Sequence, residues 1–343
     1  MELATPSELR VVGDLPVALG MEEMVRHVKA LRLAVTGVCV DGEGNEIGDW
    51  SWKLKPKEAV KKESLVQKMG LSSMFQSNSG YYNNDILKSE KDDEVATSGK
   101  MQSPVEISTC KVVKDKMLGP IIFKYASVWS NSLVETPDTP QPTVVINNGL
   151  SWEVKVPTHH QLMIYGGPLM SRNYRLDHYT AHWGGSEHVV DGQQMDGELQ
   201  LFHYHIQYKD WAEAVMHESA VAVVSVTLKI SPIEHNQEVE KIGEILPQIK
   251  LKGQAAQTAE QVDLENILPR DKDYFTYLGS LTTPDFQENI VWMVLAEPVK
   301  VSQQTVDRMK ELRYGGEESY KMTVNVRKMV PLGDRKVFRP SGE

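Results

Sequence analysis

Residues 174–192 read YRLDHYTAHWGGSEHVVDG, and residues 197–205 read GELQLFHYH. Leu176–Trp183 has the texture of a strand. Successive strand side chains point to opposite faces, so His178, Thr180 and His182 share one face. Glu198–Tyr208 reads as a second strand, on which Glu198 and Gln200 share a face while His203 and His205 turn to the other. An Asp191-Gly192 turn lies between the two.

The same texture spreads outward. Thr143–Ile146, Ser151–Val156, Leu162–Tyr165, Ala220–Ile230 and Asn289–Ala296 are short runs with alternating or β-branched residues. Turn signals separate them: Asn147-Asn148-Gly149 and Gly166-Gly167-Pro168. Helical periodicity is limited to 236–248, after the Pro232 turn, and to 301–312, where Ser302 can cap. Many strands with few helices predict one large, mainly β (α+β) domain.

Three tracts divide the chain. Residues 1–48 read as an N-terminal extension with a short amphipathic helix over 21–35, acidic at Glu22 and Glu23 and basic at Lys29 and Arg32, as the helix dipole favours. Residues 49–100 begin the domain and include a polar insertion, 56–100, rich in Lys, Glu, Ser and Asn. That composition buries too little apolar surface to offset its ordering entropy. Residues 101–343 form the main domain.

Bulk properties exclude several classes. The 343 residues carry a net charge of −10, with 41% hydrophobic and 24% charged residues. An acidic chain gains no counterion release on phosphate, so no nucleic-acid partner is expected. Mean hydropathy is −0.37, and no apolar run of about 18 residues is present, so no transmembrane segment is expected. Two cysteines, Cys39 and Cys110, make no disulfide framework, which suits a reducing compartment. The first 20 residues lack the charged start and apolar run of a signal peptide. The expected location is intracellular, cytoplasmic first, with an organelle interior if a presequence has been removed.

From Met101 to Arg339 the chain resembles the α-carbonic anhydrases. The motifs carrying the resemblance are QSPVEI (102–107), NNG (147–149), GGP (166–168), YRL (174–176), HWG (182–184) and GSEHVVDG (185–192). ELQL (198–201), SLTTP (280–284), VW (291–292), EP (297–298) and the 325–337 segment from NVR to GDRKV continue it in the same order. The resemblance implies a central, mostly antiparallel, twisted sheet of about ten strands with short surface helices.

It also implies a zinc site of three histidines, two of them two residues apart on one strand and the third on its neighbour. A catalytic zinc takes three protein ligands and leaves a fourth position for an acidified water. Here the family's first histidine position holds Thr180, the second holds His182, and the third holds Gln200. Hydroxyl, amide and a single imidazole make a poor zinc donor set. His178 lies on the same face as His182 but about 13 Å along an extended strand, too far to share one ion.

The remaining machinery is mixed. Thr282 matches the family's hydroxide-binding threonine and Glu187 the buried glutamate that orients it. Glu198 matches the glutamate behind the third histidine, with His178 placed beside it as a supporting residue. Leu150 stands where active members often carry a proton-shuttling histidine. Val223, Leu281 and Trp292 keep the apolar wall, and Phe202 is bulkier than usual and narrows it.

The expectation is therefore a catalytically silent relative with no cofactor, zinc included. It would bind a protein partner or serve as a subunit of a larger assembly, through residues 1–100. The vestigial pocket would comprise Thr180, His182, Gln200, Phe202, Val223, Leu281, Thr282 and Trp292. Two alternatives stand beside it: a carbonate dehydratase or hydrolase with a rearranged metal site on His182, and a small-ligand binder in the vacated cone.

Overall fold

A computed structural model describes residues 100–125, 142–157 and 160–341. The helix expected at 21–35, the tract boundary at 48 and all but the last residue of the polar segment 56–100 lie outside the described residues.

Sixteen strands are described. In chain order they are β1 (Glu106–Ile107), β2 (Val113–Asp115), β3 (Ile121–Lys124), β4 (Val144–Asn147), β5 (Trp152–Lys155) and β6 (Met163–Gly166). The long central ones follow: β7 (Tyr174–Trp183), then short β8 (Val189–Val190) and β9 (Gln193–Gln194), then β10 (Gly197–His205) and β11 (Val221–Ile230). The rest are β12 (Ala255–Gln257), β13 (Tyr274–Ser280), β14 (Glu288–Leu295), β15 (Val299–Val301) and β16 (Phe338–Pro340). Thirteen of them form one sheet, whose main path runs β12-β4-β5-β7-β10-β11-β14-β13-β16-β2. Pairing is antiparallel except for β11 with β14 and β15, and β16 with β2. The expected mainly β architecture is thus present, with more strands than the ten anticipated.

The centre of the sheet follows from composition. β11 reads VAVVSVTLKI, and its first eight residues are all buried, the near-continuous apolar run of a strand covered on both faces. Tyr179, Ala181 and Trp183 of β7, Leu199 and Leu201 of β10, and Ala222, Val224 and Val226 of β11 point to one side. That side is closed by helices α2 (Gln237–Ile245) and α4 (Gln303–Lys310), through Val239, Ile242, Val306 and Met309. Both helices start where their caps allow. Asn236 accepts the Glu238 and Val239 amides, and Ser302 accepts that of Thr305, as its position predicts. The two shorter helices are α1 (Trp211–Ala214) and α3 (Leu264–Ile267).

The alternate residues build a second apolar cluster on the opposite face: Phe202, Val223, Phe275, Tyr277, Trp292 and Val294, joined by Leu281. Strand β13 escaped the sequence reading. Its YFTYLGS run shifts register against β14 between Gly279 and Ser280, and the aromatic residues alternate between both faces.

Candidate functional site

Strand register decides which polar side chains meet. Gln200 of β10 lies opposite Thr180 of β7 and opposite Ser225 of β11, and Glu198 lies opposite His182. Directly opposed residues on neighbouring strands share a face. Thr180, His182, Glu198, Gln200 and Ser225 therefore sit together beside the Phe202, Val223 and Trp292 cluster. The register expected from sequence is the one observed.

His182 is 4% exposed and Gln200 is fully buried. The His182 ring donates from Nδ1 to the Asn325 carbonyl at 2.8 Å, which fixes its tautomer and aims Nε2 at Gln200. Nε2 lies 3.2 Å from Gln200 Oε1. Gln200 cannot turn its amide, because Nε2 donates to Glu187 Oε2 at 2.7 Å and to Glu198 Oε1 at 3.0 Å. Both amide hydrogens are spent on buried carboxylates, so its oxygen must face the imidazole.

Each carboxylate is further held. Glu187 Oε1 accepts the Arg327 backbone amide at 2.8 Å and lies 3.4 Å from His182 Nδ1. Glu198 accepts from the His188 amide at 2.8 Å and from His188 Nδ1 at 2.9 Å. Burial pushes the Glu198 carboxyl up, but the charge and hydrogen bonds of His188, with the Gln200 amide, outweigh it and hold it at about 2. His188 Nε2 lies 2.7 Å from Tyr277 OH, which lies 2.8 Å from Ser103 Oγ. Burial drives the Tyr277 phenol far above its usual range.

Several expected residues fall elsewhere. Glu187 was expected to orient Thr282. Instead it is occupied by Gln200 and Arg327, and the buried Thr282 Oγ1 has no hydrogen-bond partner among the described residues. Gln200 Nε2 takes up Glu187 Oε2 and the Arg327 backbone amide takes up Oε1. His178, expected beside Glu198, makes no bond to it. Its ring stacks on Phe202 at 4.5 Å and meets Trp211 of α1 edge-on at 5.0 Å, while Nδ1 bonds Asp177 at 2.7 Å. His203 leaves this face, as expected, and its Nε2 lies 2.5 Å from Tyr125 OH. Burial lowers its pKa to about 3. Asn325 was missed. It lies in the quoted 325–327 motif, yet nothing in its type announces that its carbonyl orients His182 and its Oδ1 accepts the Trp183 amide.

The residues from 89 to 341 match the family model for eukaryotic-type carbonic anhydrase. The chain belongs to that family. Among its relatives, human "Carbonic anhydrase 5A, mitochondrial" is 34% identical over 249 residues, covering 70% of this chain and 76% of the relative. Rat "Carbonic anhydrase 5B, mitochondrial" is 32% identical over 253 residues, covering 71% and 75%.

Membership corrects two expectations. A chain without enzymatic activity is overturned by relatives named as carbonic anhydrases over seven-tenths of its length. The expectation of no cofactor falls with it, because the family's reaction is a zinc reaction. Tested against this structure, the three-imidazole set is not what holds such an ion here. Among the described residues no three His, Cys, Asp or Glu side chains converge on a point. The donor atoms at hand are His182 Nε2 and Gln200 Oε1. The cytoplasmic expectation gains no support, since both relatives are named mitochondrial. Among the described residues no helix is long and apolar enough to cross a membrane.

Proposed function

We propose that this family member is a carbonate dehydratase or related hydrolase working through a rearranged metal site centred on His182. One observation carries the reading. His182 Nε2 and Gln200 Oε1 face each other at 3.2 Å, the first an acceptor in the neutral ring, the second an acceptor always. Two acceptors at that separation are complementary to a shared cation. His182 Nε2 and Gln200 Oε1 would hold such an ion, which would supply an acidified water. The apolar residues Val223 and Trp292 supply a dry wall for CO₂, and the unpartnered Thr282 hydroxyl is free to orient an attacking oxygen.

The test is metal analysis of the purified chain beside stopped-flow CO₂ hydration and ester hydrolysis. Bound divalent metal near one per chain, with turnover abolished by His182→Ala, is expected. A metal-free protein without turnover overturns the reading. An organelle interior is the proposed location, supported by the names of the relatives; fractionation of cells expressing the full chain tests it. Partner binding through residues 1–100 is a separate proposal, resting on composition, and a pull-down with and without that segment decides it.

A further inference from the structure

Two buried polar atoms without a partner stand on facing residues. Arg175 of β7 lies directly opposite Tyr204 of β10. Neither Arg175 Nε nor Tyr204 OH has a hydrogen-bond partner among the described residues, and Tyr204 is only 1% exposed. Opposed side chains share a face. On β10 that face is the one of Gln200 and Phe202, since alternate residues of a strand point the same way. On β7 it is reached through a bulge. The register steps from His178 to Leu176, and the extra residue, Asp177, brings the odd-numbered Arg175 round to the side of His178.

The guanidinium has no counter-charge. Asp177, the acidic residue beside it on the strand, commits its Oδ2 to Lys155 at 2.8 Å and to His178 at 2.7 Å. No ion pair reaches Arg175 among the described residues. Arg172, just before β7, acts on Tyr174 and His205 and adds a second positive charge at this strand end. The surroundings are otherwise apolar. Tyr204 packs against Trp211, Ala214 and Ala220, and Met163 of β6 lies opposite Arg175 on its other flank. Such surroundings strengthen a charge pair and make an unpaired hydroxyl costly.

We propose that Arg175 and Tyr204 form a binding site for a small carboxylate-type oxyanion. The Nε–H and one Nη–H of a guanidinium make a parallel edge that fits the two oxygens of a carboxylate, and the phenol O–H supplies a third donor. Only an anion answers the unpaired charge and accepts from both residues at once. A cation is repelled, and an apolar group leaves every donor unmade. One guanidinium with a neutral phenol matches a single negative charge, and its planar fork favours a planar anion over a tetrahedral one. The site is separate from the His182 centre, and its occupancy does not depend on the hydratase reading.

Calorimetric titration of the full-length chain with sodium acetate, at ionic strength held constant with sodium chloride, tests the assignment. Saturable binding of one acetate per chain is expected. Arg175→Gln should weaken it about tenfold or more, Arg175→Lys and Tyr204→Phe about threefold or more, and His182→Ala less than about twofold. Absence of saturable binding, undiminished affinity in Arg175→Gln, or loss in His182→Ala alone overturns the proposal. Inorganic phosphate should bind more weakly than acetate, and tighter phosphate binding overturns the carboxylate assignment. Urea unfolding without added acetate gives a second readout. Arg175→Gln removes an unpaired cation and should leave the midpoint unchanged or higher, whereas acetate should raise the midpoint of the wild type and not that of the variant. A midpoint that falls in Arg175→Gln without acetate shows a structural strut and ends the proposal.

Discussion

Replacing Gln200 by methionine removes both amide donors while keeping side-chain length. The structure then leaves Glu187 and Glu198, both buried, each without one charge-assisted bond, those at 2.7 and 3.0 Å. A hydrogen bond to a charged group contributes about 1.5–3 kcal/mol, so the pair sums to about 3–6 kcal/mol at neutral pH. The remaining donors, the Arg327 amide on Glu187 and His188 on Glu198, soften the loss, and the expected value is about 3–4 kcal/mol. The assay is urea unfolding, with the midpoint falling and the slope unchanged. The pH dependence is specific. The folded-state pKa of Glu198 is depressed, so its stabilisation is fully present above the unfolded carboxyl value of about 4.3 and is lost as pH falls toward about 2. Without the amide that depression shrinks. The gap between variant and wild type should thus be widest above pH 5 and should narrow between about pH 4 and pH 2. A loss under about 1 kcal/mol, or a gap that does not change with pH, would refute the two-carboxylate clasp.

Three further outcomes are expected. Gly279→Ala places a methyl against Ser103 Oγ and within 2.8 Å of both Trp292 and Tyr277, so thermal unfolding should report a loss of about 2–3 kcal/mol. Phe202→Val removes the ring stacked on His178 and should cost about 2 kcal/mol while raising the rate toward bulkier esters, read as kcat/KM across an ester series. The double variant Thr180→His with Gln200→His sets three imidazoles on opposed strand positions and should tighten zinc binding at least about tenfold in a chelator competition titration. No gain there would show that the strand register or backbone spacing differs from the one described.

The strands that alternate cleanly were legible: Leu176–Trp183 and Ala220–Ile230 fall within two residues of their observed ends. The Ser302 cap was legible too, because a cap needs only one side chain and the amides of its own next turn. The face shared by His178, Thr180, His182 and Gln200 came from period two alone. Strand β13 was not legible, because its aromatic residues serve both faces and Gly279 interrupts the pattern where the register slips. Nor was the Gln200 clasp, because Glu187 lies 13 residues away in a loop and only the fold brings it against the amide that also bonds Glu198 of the same strand.

By itself the sequence determined the family, the mainly β architecture and the face shared by Thr180, His182 and Gln200, since those depend on local periodicity and on residue type. Only the tertiary structure decided what those side chains do. It spent both Gln200 hydrogens on Glu187 and Glu198, parted Glu187 from Thr282, and turned the Asn325 carbonyl onto His182. Hydrogen-bond partnership in a buried site is settled by three-dimensional proximity and by the count of donors against acceptors, and neither is written in the order of residues along one strand.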